Sequence, residues 1–488
     1  MFDITPYFCV LLNIFYFNEY FDSMNKLKMF KGKRFHFIGI GGISMSALAQ
    51  MLKRDGFFVQ GSDEVINAEV KRLAKKKIRV FIGHSKDNVL GVDIVVYNSA
   101  ISEDNPELVF ARKKKLIILK RAELLGLIAD SYKNVIAVSG SHGKTTATAM
   151  ISDMFLDVGF KPTIHLGGKL RSINSNYHIG NKKYFITENC EYKDSFLFVK
   201  PDISVILNID SDHLDYFKDL NGVKSSFYKY ASGTKAGGLN VICQDDENSC
   251  ELKKISHTAT FGFSNKSDIY AANIREYRAG FYAFDVMFEK CRLGRVKLSI
   301  IGKHNILNAL ACVFVGFVCG IDFKEIKNSL EKFGGVERRC EKLGEINGAG
   351  VYHDYAHHPA QIKKMIETAM RLKAPEGRVL TVFEPHTFSR TKFLIDEFAK
   401  SFSGSDYLFL APVYSARETK EDGLTSIDLM SVAKKEVANT YYVKTYLNLV
   451  NHIKRLAKKG DIILVLGAGT IEKLAKMIIE WLLVKPEK

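Results

Sequence analysis

From Arg34 onward, short runs rich in β-branched and aromatic residues alternate with longer stretches of helical periodicity. No other feature constrains the chain as much, because this rhythm describes α/β units wound around parallel sheets. RFHFIGI (34–40) reads as a buried strand, SMSALAQMLKRDG (44–56) as a helix and FFVQGSD (57–63) as the next strand. DIVVYNSA (93–100) and KLIILK (115–120) follow as strands, and NVIAVSG (134–140) opens a second strand-loop-helix unit. The amphipathic stretch 121–132 between them is expected to be a linker. KYFITEN (183–189) and DISVILNID (202–210) read as strands, 304–320 as a buried helix, and after the polar GGVERR (334–339) the alternation restarts. With 488 residues and roughly 150 residues per domain, about three domains are expected.

Two strand-to-helix turns look like anion sites. Gly39-Ile-Gly-Gly-Ile-Ser44 lets the backbone approach a diphosphate at a helix N-terminus, whose N–H groups and dipole favour negative charge. Ser44 stands where a dinucleotide fingerprint wants its third glycine, and Asp63 is placed to hold a ribose, so a nicotinamide or flavin reading stays open here. Gly140-Ser-His-Gly-Lys-Thr-Thr146 again follows a strand and precedes a helix. Its glycines let the loop wrap phosphate, Lys144 can neutralise β and γ oxygens, and the Thr145 hydroxyl can complete a Mg²⁺ shell. It is a shortened Walker A, with Val138 where the leading glycine is expected. The expected fold is α/β in three domains: a Rossmann-like N-terminal domain (24–130), a central P-loop ATPase-like domain (131–335) and a Rossmann-like C-terminal domain (336–488).

A transferred phosphoryl group needs Mg²⁺ on hard oxygen ligands, at times with an imidazole. Two central strands lead to such groups: one ends at Glu188, the other in a loop with Asp210, Asp212 and His213. In the third domain His353, His357 and His358 invite a zinc reading. Asp354 in place of the glutamate of His-Glu-x-x-His, a preceding strand and Pro359 all argue against the helix it needs. Glu384-Pro-His-Thr-Phe-Ser-Arg390 follows an apolar strand, and its His and Arg can clamp a small carboxylate. Gly467-Ala-Gly-Thr470 resembles a further phosphate loop but is expected to serve close strand-helix packing.

The net charge of +16 admits nucleic acid, an anionic membrane surface or acidic small molecules, and does not choose among them. The eight cysteines form no Cys-x-x-Cys pair and read as reduced thiols of a cytoplasmic protein. Residues 7–17 are apolar but number only 11, against ~20 for a membrane span, and they lack the flanks of a signal peptide. Translation is expected to begin at Met24, with 1–23 a leader outside the folded chain and no membrane insertion.

The blocks GIGGISMSALAQML, YNSAISEDNPEL, GSHGKTTATAM, ENCEYKDSF, NIDSDHLDYF, GKHNILNALA, GVERR, DYAHHP, EPHTFSRTK and GAGTIEKL resemble, in order and across all three domains, those of the Mur ligases of peptidoglycan synthesis. The resemblance implies an ATP-dependent amide ligase acting on the small molecules UDP-N-acetylmuramate and L-alanine, with ATP and Mg²⁺, as a monomer or homodimer. It carries Gly140, Ser141, His142, Gly143, Lys144, Thr145 and Thr146 onto the ATP phosphates, and Thr145, Glu188 and His213 onto Mg²⁺. His304 and Asn305 fall near adenine, and Arg339 and Asp354 serve the γ-phosphate and ribose from the third domain. Lys144, Glu188, His213 and Arg339 form the catalytic set. Gly41, Gly42 and Ser44 fall on the UDP diphosphate, Ser99 near uridine, and Tyr355, His357, His386 and Arg390 in the amino-acid pocket. The family often has Thr at Ser141 and Asp or Ala at Asn189. A relative adding a recycled tripeptide is the nearest alternative. A Rossmann oxidoreductase leaves GSHGKTT without a task, and a nucleic-acid-stimulated ATPase lacks an acidic box and an interleaved basic-aromatic patch, so no nucleic-acid partner is expected.

Overall fold

The computed structural model describes residues 26–415, 418 and 423–483; the expected leader 1–23 lies outside them. Within these residues the chain divides into two compact units, the first made of 26–275 and 283–335 and the second of 276–282 and 336–483.

The first unit holds two sheets. The N-terminal sheet has five parallel strands in the spatial order Arg79–Ile82, Phe58–Asp63, Arg34–Ile38, Ile94–Tyr97, Ile117–Lys120. Arg34–Ile38 is central and buried at every residue after the first, as a parallel strand covered on both faces requires. The strand order reverses direction beside it, which leaves a crevice at the carboxyl ends where such sheets bind ligands. The ten-stranded central sheet has Asn134–Ser139 in its middle, parallel to Ile203–Ile206 on one side and to Tyr184–Glu188 on the other. Three chain segments destined for the site therefore leave neighbouring strand ends together.

Residues 121–132, expected as a linker, prove to be packed structure. Arg121–Ala129 is a helix with Ala122, Leu124, Leu125, Gly126, Ile128 and Ala129 all buried. It joins Phe37 of the N-terminal sheet and Phe185 of the central sheet in one core. Gly126 makes this possible, since a Cβ there would lie 2.2 Å from the carbonyl oxygen of Phe198.

The second unit is built on a six-stranded sheet in the order Glu341–Ile346, Ala349–Asp354, Ile462–Leu466, Val379–Phe383, Tyr407–Leu410, Thr440–Tyr442. Its first pair is antiparallel and the rest are parallel. His353 lies in a strand, and the following helix starts only at Pro359, so the His353/His357 spacing is not that of a helical zinc motif. No helix among the described residues is long and apolar enough to cross a membrane.

Candidate active site

The Gly140–Thr146 loop joins the buried strand Asn134–Ser139 to the helix Lys144–Asp157. Gly140 and Gly143 adopt φ of 135° and 84°, where side chains are strained, and both leave little room for one. A Cβ on Gly140 would meet the Asn208 backbone at 3.1 Å, and one on Gly143 the Asn308 Oδ1 at 3.0 Å. Asn308 in turn donates from Nδ2 to Asn305 Oδ1 at 2.8 Å. The helix opened by His304 and Asn305 is thus packed on the loop. The loop is also pinned to the neighbouring strand's end: His142 N–H donates to Asn208 Oδ1 (2.8 Å), and Asp210 N–H donates to Ser141 Oγ (2.8 Å). Ser141 therefore does structural work with the hydroxyl it shares with threonine.

Lys144 Nζ donates to the carbonyls of Gly140 (2.5 Å) and Ser141 (3.3 Å) and to both oxygens of Glu191 (2.9 and 3.2 Å). Burial works to lower its pKa, but the negative charge of Glu191 and its neighbours prevails and the net shift is upward. The ammonium stays charged. Glu191 also gathers His213 (3.8 Å), which lies beside Asp212 (3.9 Å). One ligand atom from each of Glu191, Asp212 and His213 falls within 4.8 Å of the others. Two carboxylates and an imidazole suit a divalent cation whose remaining positions are filled by water or phosphate oxygens. Of the metal ligands expected from sequence, His213 is in this group. Glu188 ends its strand nearby and accepts the Gly167 N–H on Oε2 at 2.9 Å. Asn189 turns away, its amide donating to Tyr230 Oη at 3.4 Å.

The Gly39–Ser44 turn differs from expectation in how it uses its amides. Gly39 and Ile40 donate to Ser62 O, Gly42 to Gly39 O, and Gly41 to the Asp63 carboxylate at 2.8 Å. Gly41 and Gly42 are therefore not free phosphate donors. Their value is compactness, since a Cβ on Gly41 would lie within 2.9 Å of Asp63, Asn67 and Val70. Asp63 Oδ2 is engaged by the turn itself, as the acceptor for the Gly41 N–H. The donors left for an anion are the first-turn N–H groups of the helix Ile43–Arg54, whose N-cap Gly42 offers no side-chain cap. Ser99 is exposed on the adjacent turn, next to Asn98, whose amide approaches Gly39 and Gly42.

Ser44 is tied to the central sheet. Thr187 Oγ1 donates to the Glu188 carbonyl (3.2 Å), so it must accept from His165 Nδ1 (3.1 Å). His165 is buried, and desolvation followed by the charge of Arg121 lowers its pKa to about 3, so the ring is neutral. Its Nε2 then accepts from Ser44 Oγ (2.8 Å), which itself accepts from Arg121 Nη1 (3.3 Å). The direction of every bond follows from the two ends of the chain.

In the second unit, the guanidinium groups of Arg338 and Arg339 lie 4.7 and 5.3 Å from the Tyr355 ring centre. Arg338 also donates to Gly467 O (3.0 Å). Asp354 accepts the N–H groups of Cys340 and Ala356, both at 2.7 Å. The rings of Tyr355 and His357, of His357 and His386, and of His386 and Tyr414 form a chain with 5.3, 5.8 and 5.5 Å spacings. Burial, then Arg390, lowers the His386 pKa to about 4. Among the described residues, His386 Nδ1 and Arg390 Nη1 are buried without a hydrogen-bond partner. A neutral imidazole lone pair and a fixed cation match the ammonium and carboxylate of an amino acid. The Gly467–Thr470 turn holds a carboxylate already: Glu384 accepts from Ile471 N–H (3.1 Å), Thr470 Oγ1 (2.9 Å) and Tyr446 Oη (2.6 Å).

Comparison with known proteins draws these parts together. Residues 34–133 match the description "Mur ligase family, catalytic domain", 138–316 "Mur ligase middle domain" and 338–469 "Mur ligase, glutamate ligase domain". The chain belongs to the Mur ligase family. Among Mur ligases, the UDP-N-acetylmuramate–L-alanine ligase of Caldicellulosiruptor bescii is 43% identical over 455 residues, covering 93% of this chain and 99% of that one. The crystal structure of the UDP-N-acetylmuramate-alanine ligase of Thermotoga maritima superposes with a TM-score of 0.78 at 29% identity, covering 92% and 99% of the two chains. A more distant Mur ligase, MurF of Thermotoga maritima, shares the fold at TM-score 0.58 and 17% identity over 86% and 95% of the chains, and its structure is a complex with ADP. Mur ligases are ATP-dependent.

Sequence reasoning missed three residues that the fold brings beside the candidate site. Glu191 lies in the ENCEYKDSF block, three positions past the strand-terminal Glu188 on which attention fell. His165 and Arg121 carried no motif at all. The available signal was an arginine directly after the predicted strand 115–120, where parallel sheets gather ligands; His165 lies inside the strand Thr163–Leu170, which was not predicted.

Proposed function

We propose that this Mur ligase joins L-alanine to the lactyl carboxylate of UDP-N-acetylmuramate through an acyl phosphate, at the expense of ATP. The observation that carries the reading is the 43% identity to an L-alanine ligase along 93% of the chain. The phosphate loop built around Lys144 supports it. The domains are 24–130 for the sugar nucleotide, 131–335 for ATP and 336–488 for the amino acid.

A lactyl carboxylate oxygen bonds to the γ-phosphorus as the bond to the bridging oxygen breaks, and ADP leaves with that electron pair. The alanine amine then attacks the acyl carbon, sheds a proton, and the tetrahedral intermediate expels inorganic phosphate. Gly140 to Thr146 cradle the ATP phosphates, and the Lys144 charge offsets the charge developing on the transferred group. His304 and Asn305 lie by the adenine, while Arg339 and Asp354 serve the γ-phosphate and ribose. Thr145, Glu188 and His213, with Glu191 and Asp212 beside them, would hold Mg²⁺, which when bound withdraws charge from the phosphoryl oxygens. The turn at Gly41, Gly42 and Ser44 receives the diphosphate on helix N–H groups, with Ser99 toward uridine. Tyr355, His357, His386 and Arg390 bind L-alanine. The enzyme works in the cytoplasm, where both nucleotides are made, as a monomer or homodimer without nucleic acid.

A phosphate-release assay with each component omitted in turn tests this. Release should require UDP-N-acetylmuramate, L-alanine, ATP and Mg²⁺ together; release driven equally by a tripeptide, or by nucleic acid alone, would sink the reading.

A further inference from the structure

We infer that Arg121 is a substrate-binding residue whose guanidinium supplies the counter-charge for an anionic group of the sugar nucleotide, between the Gly39–Ser44 turn and the strand that ends at Glu188. This deepens the proposed function and rests on it. Arg121 opens the buried helix Arg121–Ala129 directly after the strand Ile117–Lys120. It is largely shielded from water, yet among the described residues its one hydrogen-bond acceptor is the neutral Ser44 hydroxyl, 3.3 Å away, and it forms no ion pair. A guanidinium cannot shed its proton, and Glu188 acts on this one only through space without forming an ion pair, so its desolvation is left largely uncompensated.

A second observation places negative charge at the same point. Ser44 sits in the uncapped first turn of the helix Ile43–Arg54, whose N–H groups and dipole attract an anion. The hydrogen-bond chain through His165 and Thr187 fixes the Ser44 hydroxyl as acceptor toward Arg121, so that one N–H is anchored and the rest of the planar group is oriented. An arginine anchored beside a bare helix N-terminus suits two kinds of oxyanion on one ligand, the diphosphate and the lactyl carboxylate.

The test measures dissociation constants by calorimetry on the full-length wild type and the variants Arg121→Gln and Arg121→Lys. The ligands are UDP-N-acetylmuramate, UDP-N-acetylglucosamine, which lacks the carboxylate, and uridine. Arg121→Gln is expected to weaken UDP-N-acetylmuramate about tenfold or more, the size of a lost charged hydrogen bond. Uridine binding and the KM for ATP should stay within about twofold, and lysine should restore part of the loss. Equal weakening of UDP-N-acetylglucosamine assigns Arg121 to the diphosphate, and unchanged binding of it assigns Arg121 to the carboxylate. Wild-type affinity for UDP-N-acetylmuramate in Arg121→Gln would overturn this inference alone, as would parallel loss of uridine and ATP affinity, the mark of a purely structural role. A wild type that binds neither UDP-sugar would overturn the proposed function and this inference with it.

Discussion

Lys144 Nζ lies 2.9 Å from one oxygen of Glu191 and 3.2 Å from the other. The pair is almost wholly shielded, with side-chain exposures of 13% and 1%, so Glu191 sets the charge balance that an arriving phosphate meets.

Glu191→Gln keeps the shape of the side chain while removing its charge. The Mg²⁺ concentration for half-maximal phosphate release should rise about 10- to 100-fold, as for loss of a group that holds or orients a metal. An unchanged Mg²⁺ titration would remove Glu191 from the metal's surroundings.

Glu107 anchors a buried polar cluster under the N-terminal sheet. It accepts from Ser62 Oγ (2.5 Å) and Asn88 Nδ2 (2.6 Å) and lies 3.3 Å from both His36 and His84. Desolvation raises its pKa, but hydrogen bonds from His36 and Ser62 and the His36 charge outweigh it, and the carboxyl falls from 4.5 to about 2. The folded state thus holds fewer protons than the unfolded one. The stabilisation is full above pH 4.5 and lost as pH falls toward 2, a swing of about 3 kcal/mol. Chemical unfolding of the wild type and Glu107→Gln between pH 7 and 3 should show a steeper acid loss for the wild type; parallel curves would contradict the assignment.

The adjacent arginines 338 and 339 should separate cleanly. Arg339→Ala is expected to cut kcat about 100-fold or more, the loss of a cation on a transferring phosphate, with little change in UDP-sugar affinity. Arg338 instead ties the turn ahead of the strand Glu341–Ile346 to Gly467 O at 3.0 Å. Arg338→Ala should lower the melting temperature and leave the kinetics of the folded fraction near wild type. Wild-type turnover in Arg339→Ala would take the γ-phosphate role from that residue.

Gly469→Ala places a methyl group 2.4 Å from Glu384 Oε1 and 2.4 Å from the Tyr414 ring. Both neighbours are held by other bonds, so the overlap should cost about 1–3 kcal/mol. Differential scanning calorimetry would register it as an earlier transition; a wild-type thermogram would mean that Tyr414 moves aside freely.

The alternation of apolar runs made four of the five N-terminal strands legible but only three of the ten in the central sheet, and GSHGKTT pointed to the loop around Lys144, because both signals depend on neighbours in sequence. What escaped depends on long-range contact. Glu191 reaches Lys144 across 47 positions and sits just ahead of left-handed Lys193 and Asp194, which no propensity foretells. Asp63 had the right spacing for a ribose, and only the folded turn shows that it accepts the Gly41 N–H. Residues 121–132 looked like a linker because an apolar stripe beside charges is ambiguous until a second sheet packs on the other face.

Glu384 gives the Gly467–Thr470 turn a permanent guest. A carboxylate tethered to the same fold competes at an effective concentration of roughly millimolar or more, against which free phosphate or ADP in solution must contend. The second unit thereby carries a phosphate-loop outline whose Ile471 N–H and Thr470 hydroxyl already serve the chain's own carboxylate. In a chain that handles several phosphorylated molecules, self-occupancy of the spare loop keeps released product from lodging where it has no reaction to serve.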